Sequence, residues 1–436
     1  MRILNSELTS HIDKKVTVKG FAQALRKQSK VVFIILRDIS GELQIVVNES
    51  SSEAFKIAKL CATESVLEVT GTVVKRPGQT DAIELQAAEI IILSAADPLL
   101  PIPVVEKTNS DTDLQKRLDW RWLDLRKPKN TLIFKVWTTM EAAFREYWVS
   151  NGYLEIHSPK FMGTPSESGA ELFAVPYFDT TAYLAQSPQF FKQMAMSSGF
   201  EKVFEVGPVF RANPSFTSRH DTEFTGYDAE ISYVESHEDV MQAEADLLIY
   251  VISKIKEAHG EEILAQYGRE VVVPSLPFPT ITFDDAKKLL GKKGIANEKP
   301  TDLSSEEEKE LCKHFYEQDG HEFVFVRNYP YAGRAFYSMR YDDSPKYCKS
   351  FDLLWNGLEI TSGAQREHRY EQLLENTHIK GINTEHMQSY LNFFKFGCPP
   401  HGGFGMSPSR LLMKLLNVGN VREVTYLYRG INRLDP

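Results

Sequence analysis

Cysteine is scarce in this 436-residue chain. Its four cysteines, Cys61, Cys312, Cys348 and Cys398, lie far apart and form no CxxC pair. That pattern speaks against a zinc cluster or a disulfide framework and for a reducing compartment. Long apolar runs are also lacking. LEVTGTVV and IIILSAA fall well short of the ~20 residues that a membrane span needs. The opening MRILNSELTS has no apolar core of signal-peptide length, so a cytoplasmic protein with no membrane association is expected. There is no GxxxxGK[ST] loop, no HExxH and no GxSxG, which sets aside the P-loop ATPases and the two other chemistries those motifs mark. Internal repeats and low-complexity tracts are absent. No excess of positive charge exists either: the net charge is −9, which argues against a non-specific DNA coater.

What is present is ordinary globular material, 42% hydrophobic and 25% charged, enough for two to four domains with a large core. The charge is uneven. Residues 1–130 hold 19 Lys/Arg against 17 Asp/Glu, a balance of +2, and residues 131–436 carry −11. The first part is thus the better placed to meet a polyanion, although charge alone equally describes surface variation. Residues 1–100 read as short Val/Ile/Phe-rich strands (VTVKGFAQAL, KVVFIILRD, GELQIVVNE, LEVTGTVVKR, IELQAAEIIIL), separated by turns, with one helix pattern, SSEAFKIAKLCATE, between the third and fourth. Five strands with a helix in that place is the order of an OB-fold barrel, a fold that commonly binds single-stranded nucleic acid; a small barrel without a ligand shares the pattern. Residues 101–130, with a Pro-rich start and a charged remainder, read as a hinge containing a helical piece around Leu118, Trp122 and Leu125. From 131 to 436 an amphipathic helix ending at Asn151–Gly152 precedes strands that do not alternate regularly with helices. The expected class is α+β multidomain, a barrel followed by a larger domain with a mainly antiparallel sheet flanked by helices. The charged stretch 284–316 reads as a peripheral insertion.

Four segments carry polar groups that suit a site. In FRANPSFTSRHDTEFTGYD, Arg211, Arg219 and His220 suit a multi-phosphate anion, because guanidinium binds phosphate oxygens as a fork; Phe224 is placed to stack on a base. By composition alone a solvated charged hairpin is the commoner meaning. In SFDLLWNGLEITSGAQR, Asp352 and Glu359 flank a strand, with Ser362 and Arg366 behind. Two carboxylates near phosphates suggest Mg²⁺; an exposed strand with charged ends fits as well. In AQSPQFFKQ, Lys192 stands among Gln186, Gln189 and Gln193, a surface lysine or a reader of a carboxylate. In GCPPHGGFGMSPSRLLMKLL a glycine-rich stretch opens a helix with Arg410 in its first turns; glycines permit close backbone approach to a ligand, weak evidence alone.

Together these segments resemble the class II aminoacyl-tRNA synthetases, and among them the aspartyl-tRNA synthetases of the compact archaeal and eukaryotic type, over essentially the whole chain. The long helix running into NGYLEIHSP resembles motif 1, with Pro159 at the dimer-interface proline. FRANPSFTSRHDTEF resembles motif 2 and GGFGMSPSRLLMKLL motif 3. QSPQFFKQ and LEITSGAQR resemble the aspartate-pocket segments, and asparaginyl enzymes typically lack the former. The resemblance implies ATP and L-aspartate as substrates, Mg²⁺ as the metal, tRNA(Asp) as partner, tRNA(Asn) as a further acceptor, and a homodimer. It also implies residue roles. Arg211 would hold the α-phosphate, and Arg219 and His220 the outer phosphates. Phe224 and Arg410 would stack on the two faces of adenine. Asn213, Asp221, Ser407, Pro408 and Ser409 belong to the same two ATP motifs. Asp352, Glu359 and Ser362 would bind Mg²⁺. Lys192 and Arg366 would clamp the side-chain carboxylate of aspartate, with Ser362 near it, and Glu167, Gln189 and Asp228 would take its ammonium group. In the barrel, Phe33 would stack on an anticodon base while Gln44 and Glu84 read base edges.

The sequence departs from the family at three places. Asn213 stands where Glu is usual. Ser407, Pro408 and Ser409 precede Arg410 in place of a more glycine-rich run. The closing LYRGINRLDP has Gly430 in place of an acid. These departures keep open a non-catalytic paralogue that binds tRNA or a protein partner, and an asparaginyl-tRNA synthetase is the other alternative. Lys192→Ala is expected to abolish aspartate activation with little effect on folding.

Overall fold

The first strands follow a period of two. In β1 (Lys15–Lys27) every second residue from Val16 to Ala22 is buried. The same holds for Val32, Ile34 and Leu36 in β2 (Val31–Asp38) and for Leu43, Ile45 and Val47 in β3 (Gly41–Asn48). After α1 (Ser52–Leu60), β4 (Val66–Lys75) and β5 (Ile83–Ser94) close the barrel in the order β1-β2-β3-β5-β4. Only the β3–β5 pairing is parallel. The inward side chains form one core, to which α1 adds Ala54 and Ala58. This is the expected OB-fold, with its helix where the sequence placed it.

The computed structural model describes residues 2–78, 82–105, 112–163, 171–214 and 217–436. The chain divides between Lys127 and Pro128, inside the stretch expected as a hinge. That stretch contributes α2 (Leu114–Asp119), capped by the Asp113 carboxylate, and α3 (Arg121–Asp124) to the first unit. Arg126 and Arg37 both pair with the buried carboxylate of Glu64, at 3.0 and 2.9 Å.

The second unit begins with α4 (Pro128–Ser150), whose buried Leu132, Val136, Met140, Phe144 and Trp148 recur every four residues, one helical face. Short strands follow: β6 (Leu154–Glu155), β7 (Phe161–Met162), β8 (Ala174–Tyr177) and β9 (Thr180–Leu184). Then come α5 (Gln189–Ser197), β10 (Lys202–Phe210) and β11 (Glu223–Ser232). Next is α6 (His237–Tyr267), with a Ser236–Asp239 capping box at its start and Gly268 in the left-handed region at its end. β12 (Thr280–Thr282), α7 (Phe283–Lys292), α8 (Ser305–Asp319) and β13 (Phe323–Arg327) lead to the hairpin β14 (Ser350–Trp355) and β15 (Leu358–Arg366). The remainder is α9 (Tyr370–Ile379), α10 (Gln388–Lys395), β16 (His401–Met406), α11 (Pro408–Leu415) and α12 (Val421–Val424).

Eight strands form one sheet, β12-β13-β14-β15-β16-β11-β10-β6, antiparallel except at its two ends; β7, β9 and β8 form a small second sheet. α4 lies against the large sheet, with Trp148 stacked on Phe204 at 4.7 Å and Phe144 edge-on to Tyr227. No helix among the described residues is long and apolar enough to cross a membrane.

Candidate active site

A cavity of about 480 Å³ opens over the middle strands of the large sheet. At one end are the residues expected to take nucleotide. β10 and β11 form a hairpin whose connecting loop carries Arg211, Asn213, Arg219, His220 and Asp221, and all five line the cavity. Arg211 lies 5.5 Å over the Phe224 ring. One terminal nitrogen of Arg219, Nη1, donates to both carboxylate oxygens of Glu308, at 2.9 and 2.8 Å. Burial and the nearby Arg410, Arg219 and Arg211 push His220 down to about 4, so it is neutral near pH 7. Burial pushes Asp221 up to about 7, and its Oδ1 has no partner among the described residues. Ser407 caps α11, Pro408 occupies a first-turn position that needs no amide hydrogen, and Ser409 is buried. The motif 3 departure therefore makes a sound helix start. Arg410 donates to the backbone oxygen of Glu359 at 2.9 Å and lies 3.4 Å from its carboxylate.

The opposite end is built around a buried acid. Lys192 is wholly buried and pairs with Asp228 at 2.8 Å and Glu230 at 3.4 Å. Arg366 pairs with the same Glu230 at 2.9 Å and donates to the backbone oxygen of Gly403. Burial alone would raise Glu230, but Arg366 and Lys192 more than offset it and hold the carboxyl below the usual range. Asp228, Gln189 and Arg366 face the cavity, and the Nε2 of Gln189 has no partner among the described residues. Lys192 lies behind that wall. Glu167 falls outside the described residues.

Two local readings need correction, and one alternative falls. Lys192 is not a surface charge, because Gln189 to Gln193 begin α5, which carries it inward. Asp352 and Glu359 do not flank one strand. They sit on the two strands of the β14–β15 hairpin, turned by Asn356–Gly357 with φ of +46° and +77°, the Asn-Gly pair that tight hairpins favour. The glycine-rich stretch is β16 rather than a ligand loop. At Gly403 an added Cβ would stand 2.1 Å from the backbone oxygen of Ala229 and 2.2 Å from the Glu230 carboxylate, so the missing side chain admits Glu230.

The hairpin sets the acids expected to hold Mg²⁺. Asp352 and Ser362 are cross-strand partners. Both oxygens of Asp352 are taken by Arg334, at 2.9 and 2.5 Å, and Arg334 also donates to the Ser362 hydroxyl at 3.1 Å. Breaking a buried pair of this kind costs roughly 3–5 kcal/mol. Glu359 is more open, and burial with the neighbouring Asp352 and Glu308 carboxylates pushes it up to about 7. Among the described residues no three or more His, Cys, Asp or Glu side chains converge as a metal cage. The hard oxygen donors that line the cavity here, Glu359 and Ser362, do fit Mg²⁺, which is usually held by one or two protein groups plus substrate phosphates.

On the barrel, Gln44 and Glu84 pair across β3 and β5 and hydrogen-bond at 2.8 Å. Phe33 lies opposite Val46 on the same outward face. The three expected anticodon residues therefore share one surface. Sequence reasoning missed Glu230, Glu308 and Arg334. Glu230 had a signal, two residues after Asp228 on one strand face. The other two had none: Glu308 lies in the segment read as peripheral, and Arg334 follows a short turn remote from both strands it bridges.

The family model for class II tRNA synthetases (D, K and N) matches residues 113–429, and that for the OB-fold nucleic acid binding domain matches residues 16–93. The aspartate–tRNA(Asp) ligase of Pyrococcus furiosus is 40% identical over 99% of both chains. The aspartate–tRNA(Asp/Asn) ligase of Aeropyrum pernix is 41% identical over 98% of this chain and 97% of that one. Among solved structures, asparaginyl-tRNA synthetase of Pyrococcus horikoshii with asparaginyl-adenylate superposes with a TM-score of 0.92 at 30% identity over all of both chains. A putative aspartyl-tRNA synthetase of Leishmania major gives 0.91 at 29% identity over 100% of this chain and 95% of that one. With a match of this extent, the chain belongs to the class II tRNA synthetases of the D, K and N group, with an OB-fold nucleic-acid-binding domain ahead of the synthetase domain.

Proposed function

We propose that the chain is an ATP-dependent aspartate–tRNA ligase, acting in the cytoplasm as a homodimer. One observation carries the choice of amino acid: two buried cations, Lys192 and Arg366, converge on a single carboxylate, Glu230, beside the cavity wall. Of the two, Arg366 faces the cavity, so a carboxylate side chain entering at that end meets a guanidinium, while Lys192 behind it holds Glu230 and Asp228. Asparagine brings no charge to that guanidinium, a poorer match. The relatives named as aspartate–tRNA ligases support the same reading.

The chemistry follows from the residues. The aspartate α-carboxylate attacks the α-phosphorus of ATP, forming a carboxyl–phosphate bond as the bond to pyrophosphate breaks. The nucleophile is already ionised, so no general base is needed; alignment and neutralisation of phosphate charge are. Arg211 and Arg219 supply fixed positive charge, Phe224 and Arg410 offer faces for adenine, and neutral His220 donates or accepts a hydrogen bond without adding charge. Asp228 and Gln189 are placed for the ammonium group. Glu359 and Ser362 would hold Mg²⁺, which when bound neutralises phosphate oxygens and steadies the triphosphate. In the second step a hydroxyl of the terminal tRNA adenosine displaces AMP. Phe33, Gln44 and Glu84 would meet unstacked anticodon bases.

The test is ATP–pyrophosphate exchange without tRNA, aspartate against asparagine. Exchange driven by aspartate alone is expected. Exchange driven by asparagine, or by neither, overturns the reading. Charging is then compared on tRNA(Asp) and tRNA(Asn), since the A. pernix relative is named for both. Sedimentation is expected to give a dimer at micromolar concentration, and a monomer would sink that part.

A further inference from the structure

Arg334 stands outside every motif, yet its guanidinium is held on several sides near the cavity. It follows a short turn, Tyr331–Gly333. Its two terminal nitrogens fork onto the two oxygens of Asp352, and one of them also reaches the Ser362 hydroxyl. Its plane lies on the ring of Tyr329, with the guanidinium carbon 3.6 Å from the ring centroid, and Tyr329 is fully buried. The side chains of Arg334 and Asp352 are 15% and 4% exposed, against 33% for Glu359. A cation fixed by a fork, a hydroxyl and an aromatic face is pre-organised in a way that a mobile lysine is not.

We propose that Arg334 is a built-in cation of the ATP site: it neutralises Asp352 in place of a metal ion, orients the Ser362 hydroxyl, and leaves Glu359 as the carboxylate that anchors the divalent ion of the nucleotide. The proposal rests on the ligase reading and narrows the ligand set expected from sequence, in which Asp352 and Glu359 were equivalent. The physical reason is competition. A divalent ion entering between Asp352 and Ser362 would have to separate a buried, forked pair and leave the guanidinium charge without its acid. At Glu359 it meets a more exposed carboxylate, whose cationic neighbour Arg410 stands farther off, at 3.4 Å. Arg334 is a positioning residue, acting through Asp352 and Ser362.

The experiment is a titration of the full chain with Mn²⁺ in the absence of nucleotide, following the free-ion signal by electron paramagnetic resonance. Asp352→Asn is expected to leave the Mn²⁺ dissociation constant within about twofold, and Glu359→Gln to weaken binding at least about tenfold. Arg334→Gln, which frees the Asp352 carboxylate, is expected to tighten binding about tenfold, and adding Asp352→Asn should cancel that gain. Asp352→Asn weakening Mn²⁺ as much as Glu359→Gln overturns the proposal. Arg334→Gln leaving the affinity unchanged also overturns it. Either variant decides alone if the other does not fold, as judged by a single melting transition. The titration contains no amino acid and no tRNA. Absence of ATP–pyrophosphate exchange would therefore sink the ligase reading without touching the assignment of Arg334, and the reverse holds.

Discussion

At the scale of single residues, burial decides what a charge does. From its setting among glutamines Lys192 reads as a surface charge or a carboxylate reader, and only the structure makes it a wholly buried residue with two acidic partners. Lys192→Ala is therefore not neutral for folding, contrary to the expectation from sequence. It strands Asp228, leaves Glu230 with Arg366 alone, and should lower stability by about 3–5 kcal/mol in denaturant titration. It should also reduce kcat/KM for aspartate at least about 100-fold in the exchange assay. His401 gives a second residue-scale test. Its Nδ1 faces the Pro399 oxygen at 2.8 Å and its Nε2 the side-chain nitrogen of Gln193 at 3.0 Å, the partners of a neutral ring that donates from Nδ1 and accepts at Nε2. Burial pushes the ring down to about 4. The folded protein thus refuses a proton that the unfolded chain accepts near pH 6.5, so this contribution is complete above 6.5 and lost as pH falls towards 4. His401→Gln should reduce the pH-dependence of unfolding free energy in that window by up to about 1.4 kcal/mol per pH unit. An unchanged slope would mean the ring is not held neutral.

Elements were legible where period and caps agree. α4 shows its i, i+4 face, and α6 and α8 have capping boxes at their starts and left-handed glycines at their ends. Elements were misread where a glycine or proline belongs to packing. β16 looked like a ligand loop because its glycines serve a crowded sheet, and α5 hid behind Pro188. The stretch 284–316 was expected as a peripheral insertion, and α7 and α8 occupy most of it. They contain a buried cluster including Phe283, Leu290, Leu311 and Cys312, and α8 delivers Glu308 to Arg219. The β14–β15 turn is the sharpest test at this scale. Gly357 has φ +77°, and an added Cβ would stand 2.9 Å from the Lys309 Cα. The left-handed conformation alone costs a non-glycine residue about 1–2 kcal/mol. Gly357→Ala should destabilise by about 2 kcal/mol or more in urea, since the hairpin cannot move from α8 without shifting Glu359. Wild-type stability would show that the turn relaxes freely.

For the whole molecule, the chain combines an OB-fold barrel with a synthetase domain, and the two jobs should separate under mutation. Phe33 lies on the outward face of the barrel with Gln44 and Glu84. Base stacking on an aromatic is worth about 1–3 kcal/mol, so Phe33→Ala should raise KM for tRNA by about 10- to 100-fold. ATP–pyrophosphate exchange should stay unchanged, because no step of adenylate formation uses the barrel. A parallel fall in exchange would mean that the two functions are not separable in this way.

The sequence alone determined the order of the barrel strands and their helix, the long helix α4, the mainly antiparallel character of the sheet and the residue types of the motifs. Those properties depend on neighbours within a turn or two, which periodicity and caps encode directly. The tertiary structure alone decided which charges meet: Arg219 with Glu308, Arg334 with Asp352 and Ser362, and Lys192 and Arg366 with Glu230. Coulomb and desolvation energies depend on distance and burial in space, and residues 18 to 136 positions apart reach one another only once the sheet has assembled.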